Sequence, residues 1–576
     1  MLIIQSHLVF KNPISEKEKE IFGKILAAAE MDGMEPYIVG GWVRDKIICR
    51  ESKDIDIAIY SEKDTLLAAN KIYFNLTGEV PNEINVIGTT SLNIDGYDIE
   101  FTPFRKETYQ KDSSKPEIEP GNLETELNRR DFTCNSLAMK LKTYEVIDIT
   151  GRGIHDIKYA ILDTTQSPLV TFTEDPNRIM RLFRFIAQIG FNPHPRVIEI
   201  IKKPDVLDLL DPSNRGIKID GTRSQKATAR EENFKQFYKM LIGEKSKNIV
   251  KSLEDMAETG AFERIVGFPS HYLPLNTPHA NRYHHLGIWK HSLEVLKNID
   301  ERLPENADDR FVLRMAAIFH DIGKFDPNIR KPHKKLAGYF TYQNHMLSSL
   351  DVSKETFEKY ILIPNTEQKL RDRILNIIKL HDSLMDCERL RKSHVYHISR
   401  KACFENRKFE CDIDNLITFF YADRKAHKEP LNYDSIQMFE KYRNELGDLI
   451  FDSLSWLITG DDIVENMSNN ADKKFIGKIK HEIISAYIDG QISDREQALN
   501  LMIEKMQQKH ILKPIPSIVS SEHIVEYFMP YFKQKGPWIK DFIQKSKILE
   551  RKGLNFDEII SKLDEEIERK TCFPKH

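Results

Sequence analysis

The sequence predicts a mixed α+β head followed by a largely all-α body. Three observations carry this. Up to about residue 165, short β-rich runs (PYIVGG, IDIAIY, GYDIEFTPF, EVIDITG) alternate with runs of helical character (EKEKEIFGKILAAAEMDG, NSLAMKLK), as in a sheet covered by helices. From Thr173 onward the strand signal fades, and NRIMRLFRFIAQIGF and NFKQFYKMLIG place apolar residues at helical spacing. The length, 576 residues, exceeds what one hydrophobic core serves. Composition and motif placement divide the chain into 1–165, 166–275, 276–430, 431–510 and 511–576. Two polar stretches, 109–124 (YQKDSSKPEIEPGNLE) and 211–229 (DPSNRGIKIDGTRSQKATA), read as loops.

Lys and Arg total 85 against 88 Asp and Glu, a net charge of -3, so any nucleic-acid partner must be met by a local basic patch. The six cysteines show no CxxC pair and no zinc spacing, which fits free thiols in a reducing cytoplasm. The N-terminal MLIIQSHLVFKN lacks a basic region followed by a long apolar one, and no apolar run approaches the roughly 20 residues of a membrane span. A cytoplasmic protein without membrane partners is expected.

The head carries its chemistry in YIVGGWVRDKIICRESKDIDIAIY. Alternate side chains of a strand share a face, so Ile55, Ile57 and Ile59 point into a core while Asp54 and Asp56 point together the other way. Like charges side by side are costly unless a divalent cation neutralises them. GYDIEFTPF repeats the arrangement with Asp98 and Glu100. Three carboxylates from neighbouring strands suit Mg²⁺, which prefers hard oxygen ligands and phosphate partners. Gly40 and Gly41 let a triphosphate approach backbone N–H groups at a strand-to-helix turn, and Arg44 one turn on can reach phosphate.

This stretch resembles the head of class II tRNA nucleotidyltransferases and bacterial poly(A) polymerases, within the polymerase-β-like superfamily. The resemblance continues in order through ELNRRDFTCNSLAMK, VIDITGRGIHDIK and EDPNRIMRLFRF, covering about residues 35–195. Placed by the trailing FTPFR, Glu100 rather than Asp98 matches the third catalytic carboxylate beside Asp54 and Asp56. The resemblance implies that Arg130 and Asp131 contact ribose and phosphate, that Arg181 and Arg184 reach phosphates, and that Glu174 orients Arg178. It implies phosphoryl transfer with Mg²⁺: a tRNA 3′-hydroxyl attacks the α-phosphate of CTP or ATP and pyrophosphate leaves.

Asp175 and Arg178, three apart in a helical run, are expected on one face. Cytosine and adenine each present an exocyclic amine beside a ring-nitrogen acceptor; a carboxylate accepts from the first and a guanidinium donates to the second. Uracil and guanine present the reverse. One Asp–Arg pair thus admits CTP and ATP without a nucleic-acid template.

Downstream, RFVLRMAAIFHDIGKFDP holds His320 and Asp321, with YHHLGIWKHSLEVLKNI, TYQNHML, IIKLHDSL and FFYADRKAHKEP contributing further His and Asp residues. Such groups on separate helices converge when the helices pack, giving mixed N/O ligands for a transition metal. The series resembles an HD-domain phosphohydrolase over about 280–430. The resemblance implies His291, His320, Asp321 and Asp423 as ligands of Mn²⁺, Ni²⁺, Co²⁺ or Mg²⁺, with His345 and His381 extending the site or contacting phosphate, and His284 and His285 outside the ligand set; Lys324 in HDIGK is a neighbouring cation that could steady a phosphate. Residues 456–502 resemble the tRNA-binding tail of bacterial-type nucleotidyltransferases, although Asn and Met stand where glycines are usual between Asp462 and Phe475. The Lys-rich stretch around Trp538 in 511–576 reads as a solvated helix face or an RNA-contact patch.

The expected function is CCA addition to tRNA without DNA as partner, with a homodimer compatible. A poly(A) polymerase and a CC- or A-adding relative share the same motif residues. A phosphohydrolase whose head only binds RNA is opposed by the clustered carboxylates, which binding alone does not need.

Overall fold

A computed structural model describes residues 3–5, 10–62, 65–81, 88–109, 116–212, 228–244, 246–361, 363, 368–384, 387–404, 412–468, 471–513, 520–532, 536–552 and 554–571. The chain forms two compact units, Met1–Ser383 with Asn406–Tyr433 and Leu384–Glu405 with Asp434–His576.

The head strands are β1 (Ile3–Gln5), β2 (Glu35–Val39), β3 (Asp54–Tyr60), β4 (Thr90–Ile94), β5 (Tyr97–Pro103), β6 (Arg105–Tyr109), β7 (Pro116–Pro120), β8 (Leu137–Lys140) and β9 (Val146–Asp148). Seven make one sheet in the order β1-β9-β8-β2-β3-β5-β4. Its neighbours β3 and β5, toward the β4 edge, are parallel, with Asp54 opposite Asp98 and Asp56 opposite Glu100. Ile55, Ile57 and Ile59 are buried, as their alternation predicts. The helix Glu16–Glu30 starts at a Ser15–Glu18 capping box and lays Ile21, Phe22 and Ile25 into the core. The buried Glu18 carboxylate receives Lys46 at 2.8 Å and Trp42 Nε1 at 3.3 Å, which ties this helix to the short helix Gly41–Ile47 after β2.

Two local expectations are corrected. NSLAMKLK is not helical: Leu137–Lys140 is β8, paired with β2 on one side and β9 on the other. Leu, Ala and Met favour helix, but double-sided pairing and complete burial of Leu137, Ala138 and Met139 override propensity. The stretch 109–124 is not wholly loop either, since β7 pairs with β6 in a hairpin and Leu123–Asn128 is helical. The predicted loop 211–229 lies mostly outside the described residues.

Beyond the head the described strands are two residues long. The helix Asn177–Ile189 buries Ile179, Leu182, Phe183 and Ile186 and packs on the helices Arg230–Leu241 and Ser246–Thr259. Next, Ile288–Asn298, Ala307–Phe319, His345–Lys359, Gln368–Leu380 and Ile413–Lys425 pack together. Gly323 allows the turn after Asp321 to touch the helix His345–Lys359, because a Cβ there would lie 2.3 Å from the His345 carbonyl oxygen. In the second unit, the helices Ser521–Phe532, Trp538–Arg551 and Phe556–Thr571 share a small core of Ile524, Phe528, Phe542, Ile559, Ile560 and Leu563. Around Trp538, Lys545 pairs with Asp541 at 2.8 Å and Lys552 with Glu496 at 2.7 Å. No described helix is long and apolar enough to cross a membrane.

Candidate functional site

Twelve of the residues singled out in the sequence line one cleft of about 1520 Å³: Gly40, Gly41, Arg44, Asp54, Asp56, Glu100, Arg130, Asp131, Asp175, Arg178, Arg181 and Arg184; Glu174, expected to orient Arg178, is not among the lining residues but meets Arg178. The parallel register sets Asp56 beside Glu100 on the cleft face. Burial pushes the Asp56 carboxyl up, Arg130 opposes this and Asp54 adds to it. Glu100 is likewise raised, by burial and then by Asp56. Asp98, on the same face, already accepts from Asn93 at 2.6 Å. Asp54, Asp56 and Glu100 form no ion pair with a described residue, and crowded hard oxygen donors of this kind fit divalent cations. Gly40 has φ +78°, and a Cβ there would meet Arg130 Nη1 at 2.6 Å and Asp56 Oδ2 at 3.4 Å, so glycine alone keeps the cleft floor open.

Three guanidinium groups surround one ring: Arg44, Arg181 and Arg184 stand 5.2, 5.6 and 4.5 Å from the centroid of Phe185. Arg44 is held by Asp45 and Asn135. Arg181 donates to Asp131 at 2.7 Å. Burial works to raise the Asp131 carboxyl, but Arg181 and Asn135 outweigh it and hold it at about 2. Asp131 therefore positions Arg181. Arg184 forms no ion pair among the described residues, and burial beside Arg181 lowers its guanidinium to about 10. The cluster is a positive clamp suited to a triphosphate.

The Asp175–Arg178 pair is built differently from expectation. Asp175 closes the helix Pro168–Glu174 in extended conformation, Pro176 follows, and Arg178 lies in the first turn of the helix Asn177–Ile189. Their proximity comes from a joint between helices, not from one helical face, and proline disfavours a continuous helix there. Asp175 accepts from Asn177 N at 3.0 Å. Arg178 donates to the Arg129 carbonyl at 2.8 Å and meets Glu174 at 3.4 Å. Its guanidinium also lies 5.9 Å from the Tyr109 ring. The Tyr109 hydroxyl donates to Glu107, which pairs with Arg105 and Arg129. Sequence reading missed Phe185, Glu107, Tyr109 and Asn135. Phe185 and Asn135 lie inside motifs already quoted, but nothing in their residue type marks a guanidinium platform or an arginine anchor.

The histidine pocket assembles from separate helices. His291 Nε2 lies 3.0 Å from Asp423 Oδ1 and 3.7 Å from Asp321 Oδ2, and His320 Nε2 lies 3.4 Å from Asp321 Oδ2. Asp321 Oδ1 faces His345 Nε2 at 3.2 Å and His381 Nε2 at 3.8 Å. Lys324 sits 2.7 Å from Asp321. Nδ1 of His320, His345 and His381 each meets the carbonyl three residues back, at 2.9, 2.9 and 2.6 Å. Donation there places a proton on each Nδ1 and turns each Nε2 toward the pocket. The Nε2 atoms of His345 and His381 are 3.2 Å apart, a separation at which a shared proton or a bound cation links two imidazoles. Burial, with His320 and His345 alongside, holds His381 at about 3 and so neutral. His285 is exposed, whereas His284, expected outside the ligand set, lies against His291 with ring centroids 4.4 Å apart.

Residues 36–163 match the poly A polymerase head domain and 288–424 the HD domain. A tRNA nucleotidyltransferase of Schizosaccharomyces pombe is 32% identical over 196 residues, covering 31% of this chain and only 40% of that protein. The CCA-adding enzyme of Bacillus pumilus is 32% identical over 283 residues, covering 48% of this chain and 68% of that enzyme. In fold, the chain is similar to the CCA-adding enzyme of Bacillus stearothermophilus solved with CTP, with a TM-score of 0.55 at 18% identity, covering 86% of this chain and 99% of that one. At 32% identity the likeness to the Bacillus pumilus enzyme spans two thirds of that relative, and the chain belongs to the family of the CCA-adding enzymes.

Proposed function

We propose that this chain extends the 3′ end of tRNA with C and A from CTP and ATP, releasing pyrophosphate. The observation that carries this is one cleft in which a carboxylate fork, an arginine clamp and an Asp–Arg pair stand together. Asp54, Asp56 and Glu100 would hold Mg²⁺, which when bound supplies charge neutralisation at the reacting phosphate. Arg44, Arg181 and Arg184 bind and orient the triphosphate, and Asp131 holds Arg181 in place. Asp175 accepts from the base amine and Arg178 donates to the ring nitrogen, both steadied by the Pro176 joint. In this reading 1–165 is catalytic, 166–275 selects the base and 431–510 holds tRNA. Incubating a tRNA that lacks its 3′ end with each labelled NTP and reading product length tests it. CCA addition is expected; long A tracts identify a poly(A) polymerase, arrest after CC or after A alone a partial enzyme, and no incorporation overturns the proposal.

Residues 276–430 support a second activity, metal-dependent hydrolysis of phosphate esters on RNA ends such as 2′,3′-cyclic phosphates. The convergence of His291, His320, His345 and His381 on Asp321 favours it, because buried nitrogen and oxygen donors crowded around one carboxylate suit a divalent cation. A cyclic phosphate blocks the 3′-hydroxyl that the head requires. Turnover of bis-p-nitrophenyl phosphate and 2′,3′-cyclic AMP is to be measured with Mg²⁺, Mn²⁺, Ni²⁺ and Co²⁺ in turn. No metal-dependent turnover would leave the pocket a structural remnant.

A further inference from the structure

The histidine pocket does not end at the ligands the sequence indicated. Asp321 turns Oδ2 toward His291 and His320 and Oδ1 toward His345 and His381, so one carboxylate joins two groups of nitrogen donors. Asp423 repeats this on the opposite side. Its Oδ1 lies 3.0 Å from His291 Nε2, while its Oδ2 lies 3.5 Å from His427 Nε2. Ring nitrogens of His284, His291 and His427 come within 4.8 Å of one another. The His284 ring centroid is 4.5 Å from that of His427, and Nδ1 of His284 is buried without a hydrogen-bond partner among the described residues.

The backbone holds these side chains together. The Lys428 N–H donates to the Tyr283 carbonyl at 2.8 Å, fastening the residue before His284 to the residue after His427. Asn281 Oδ1 accepts from the N–H groups of Tyr283 and His284, each at 2.9 Å, which sets the turn. His279 stacks on His284 at 3.7 Å and 6°, so the imidazole face is packed and its edge is left for a ligand.

We propose that His284, His427 and the Oδ2 oxygen of Asp423 form a further divalent-cation position, joined to the HD centre through Asp423 as the His345–His381 position is joined through Asp321. Two imidazoles and a carboxylate suit Mn²⁺, Co²⁺ or Ni²⁺. With three protein donors the ion keeps open coordination positions that a substrate phosphate oxygen can fill. This inference rests on reading the pocket as a metal centre, and the experiment separates the two.

The full chain carrying Asp54→Ala and Asp56→Ala, so that the head contributes no metal, is stripped with a chelator and reconstituted with Co²⁺. Bound equivalents are counted by elemental analysis, and the visible d–d bands report nitrogen ligation. His284→Ala and His427→Ala should each lose one equivalent relative to this parent, with weaker d–d absorption. His284→Gln and His427→Gln keep the side-chain bulk in case the alanine variants fold poorly. Anomalous diffraction from Co²⁺-soaked crystals of the parent should show a peak between His284, His427 and Asp423. Unchanged equivalents in these variants, or no such peak, would overturn the further position while His320→Ala still loses metal. Should His320→Ala also lose none, the metal-centre reading falls with it.

Discussion

Single side chains decide chemistry in the head. Asp54→Ala or Asp56→Ala removes a donor from the fork while the arginine clamp stays intact. Nucleotide addition should fall by at least about 100-fold with tRNA affinity little changed. Gel-shift binding beside single-turnover addition checks this, and near-normal addition would refute the catalytic assignment. Asp175→Ala removes the acceptor for the base amine. UTP or GTP should then compete, with a loss of roughly 1–3 kcal/mol of discrimination, read from incorporation ratios at equal NTP concentrations. Asp131 offers a test by pH. Its folded carboxyl is held at about 2, below the ordinary value of 3.8, chiefly because Arg181 outweighs burial. The stability this contributes is present above the unfolded pKa and is lost as pH falls from about 4 towards 2, roughly 2 kcal/mol in all. Asp131→Asn should flatten that part of the stability–pH curve in chemical denaturation; an unchanged slope would mean the Asp131–Arg181 pair is not what holds the proton off.

Elements matter through their joints. The Pro176 break turns two consecutive helices so that Asp175 and Arg178 share a cleft, and the β6–β7 hairpin brings Glu107 and Tyr109 against the same arginines. In the body, the turn after Asp321 lies so close to the helix His345–Lys359 that a Cβ at Gly323 would sit 2.3 Å from one backbone atom and 2.5 Å from another. Gly323→Ala should separate Asp321 from His345. Thermal melts should show a loss of about 1–3 kcal/mol, the usual cost of overpacking, and turnover of phosphate esters should drop more than nucleotide addition. Wild-type stability and turnover would show that the turn can yield without cost.

At the scale of the molecule, the cleft and the histidine pocket use different residues on different elements, so their activities should separate. His320→Ala should abolish phosphate-ester hydrolysis and leave addition to an intact tRNA within about twofold, since sites with no shared contacts behave additively. Paired assays on one preparation decide this, and a parallel loss of addition would mean the two centres are coupled.

Much of this was legible in the residues. The alternation in DIDIAIY dictates which side chains meet, because strand geometry has a period of two, and the cleft gathers the carboxylates, glycines and arginines that the motifs indicated. The histidines at 291, 320, 345 and 381 stood out by their type, and the fold does bring them around Asp321. The sequence could not say that Leu137–Lys140 is a strand, since its two partners lie far away in the chain, nor that Asp175 and Arg178 meet across a helix break. Nor could it place His284 and His427 together, or turn the two oxygens of Asp423 toward different neighbours. Local pattern determines which groups are available and which face they take. Which distant groups share a point in space is set by helix packing and a few backbone contacts, such as Gly323 against His345 and Lys428 against Tyr283, that exist only in the folded chain.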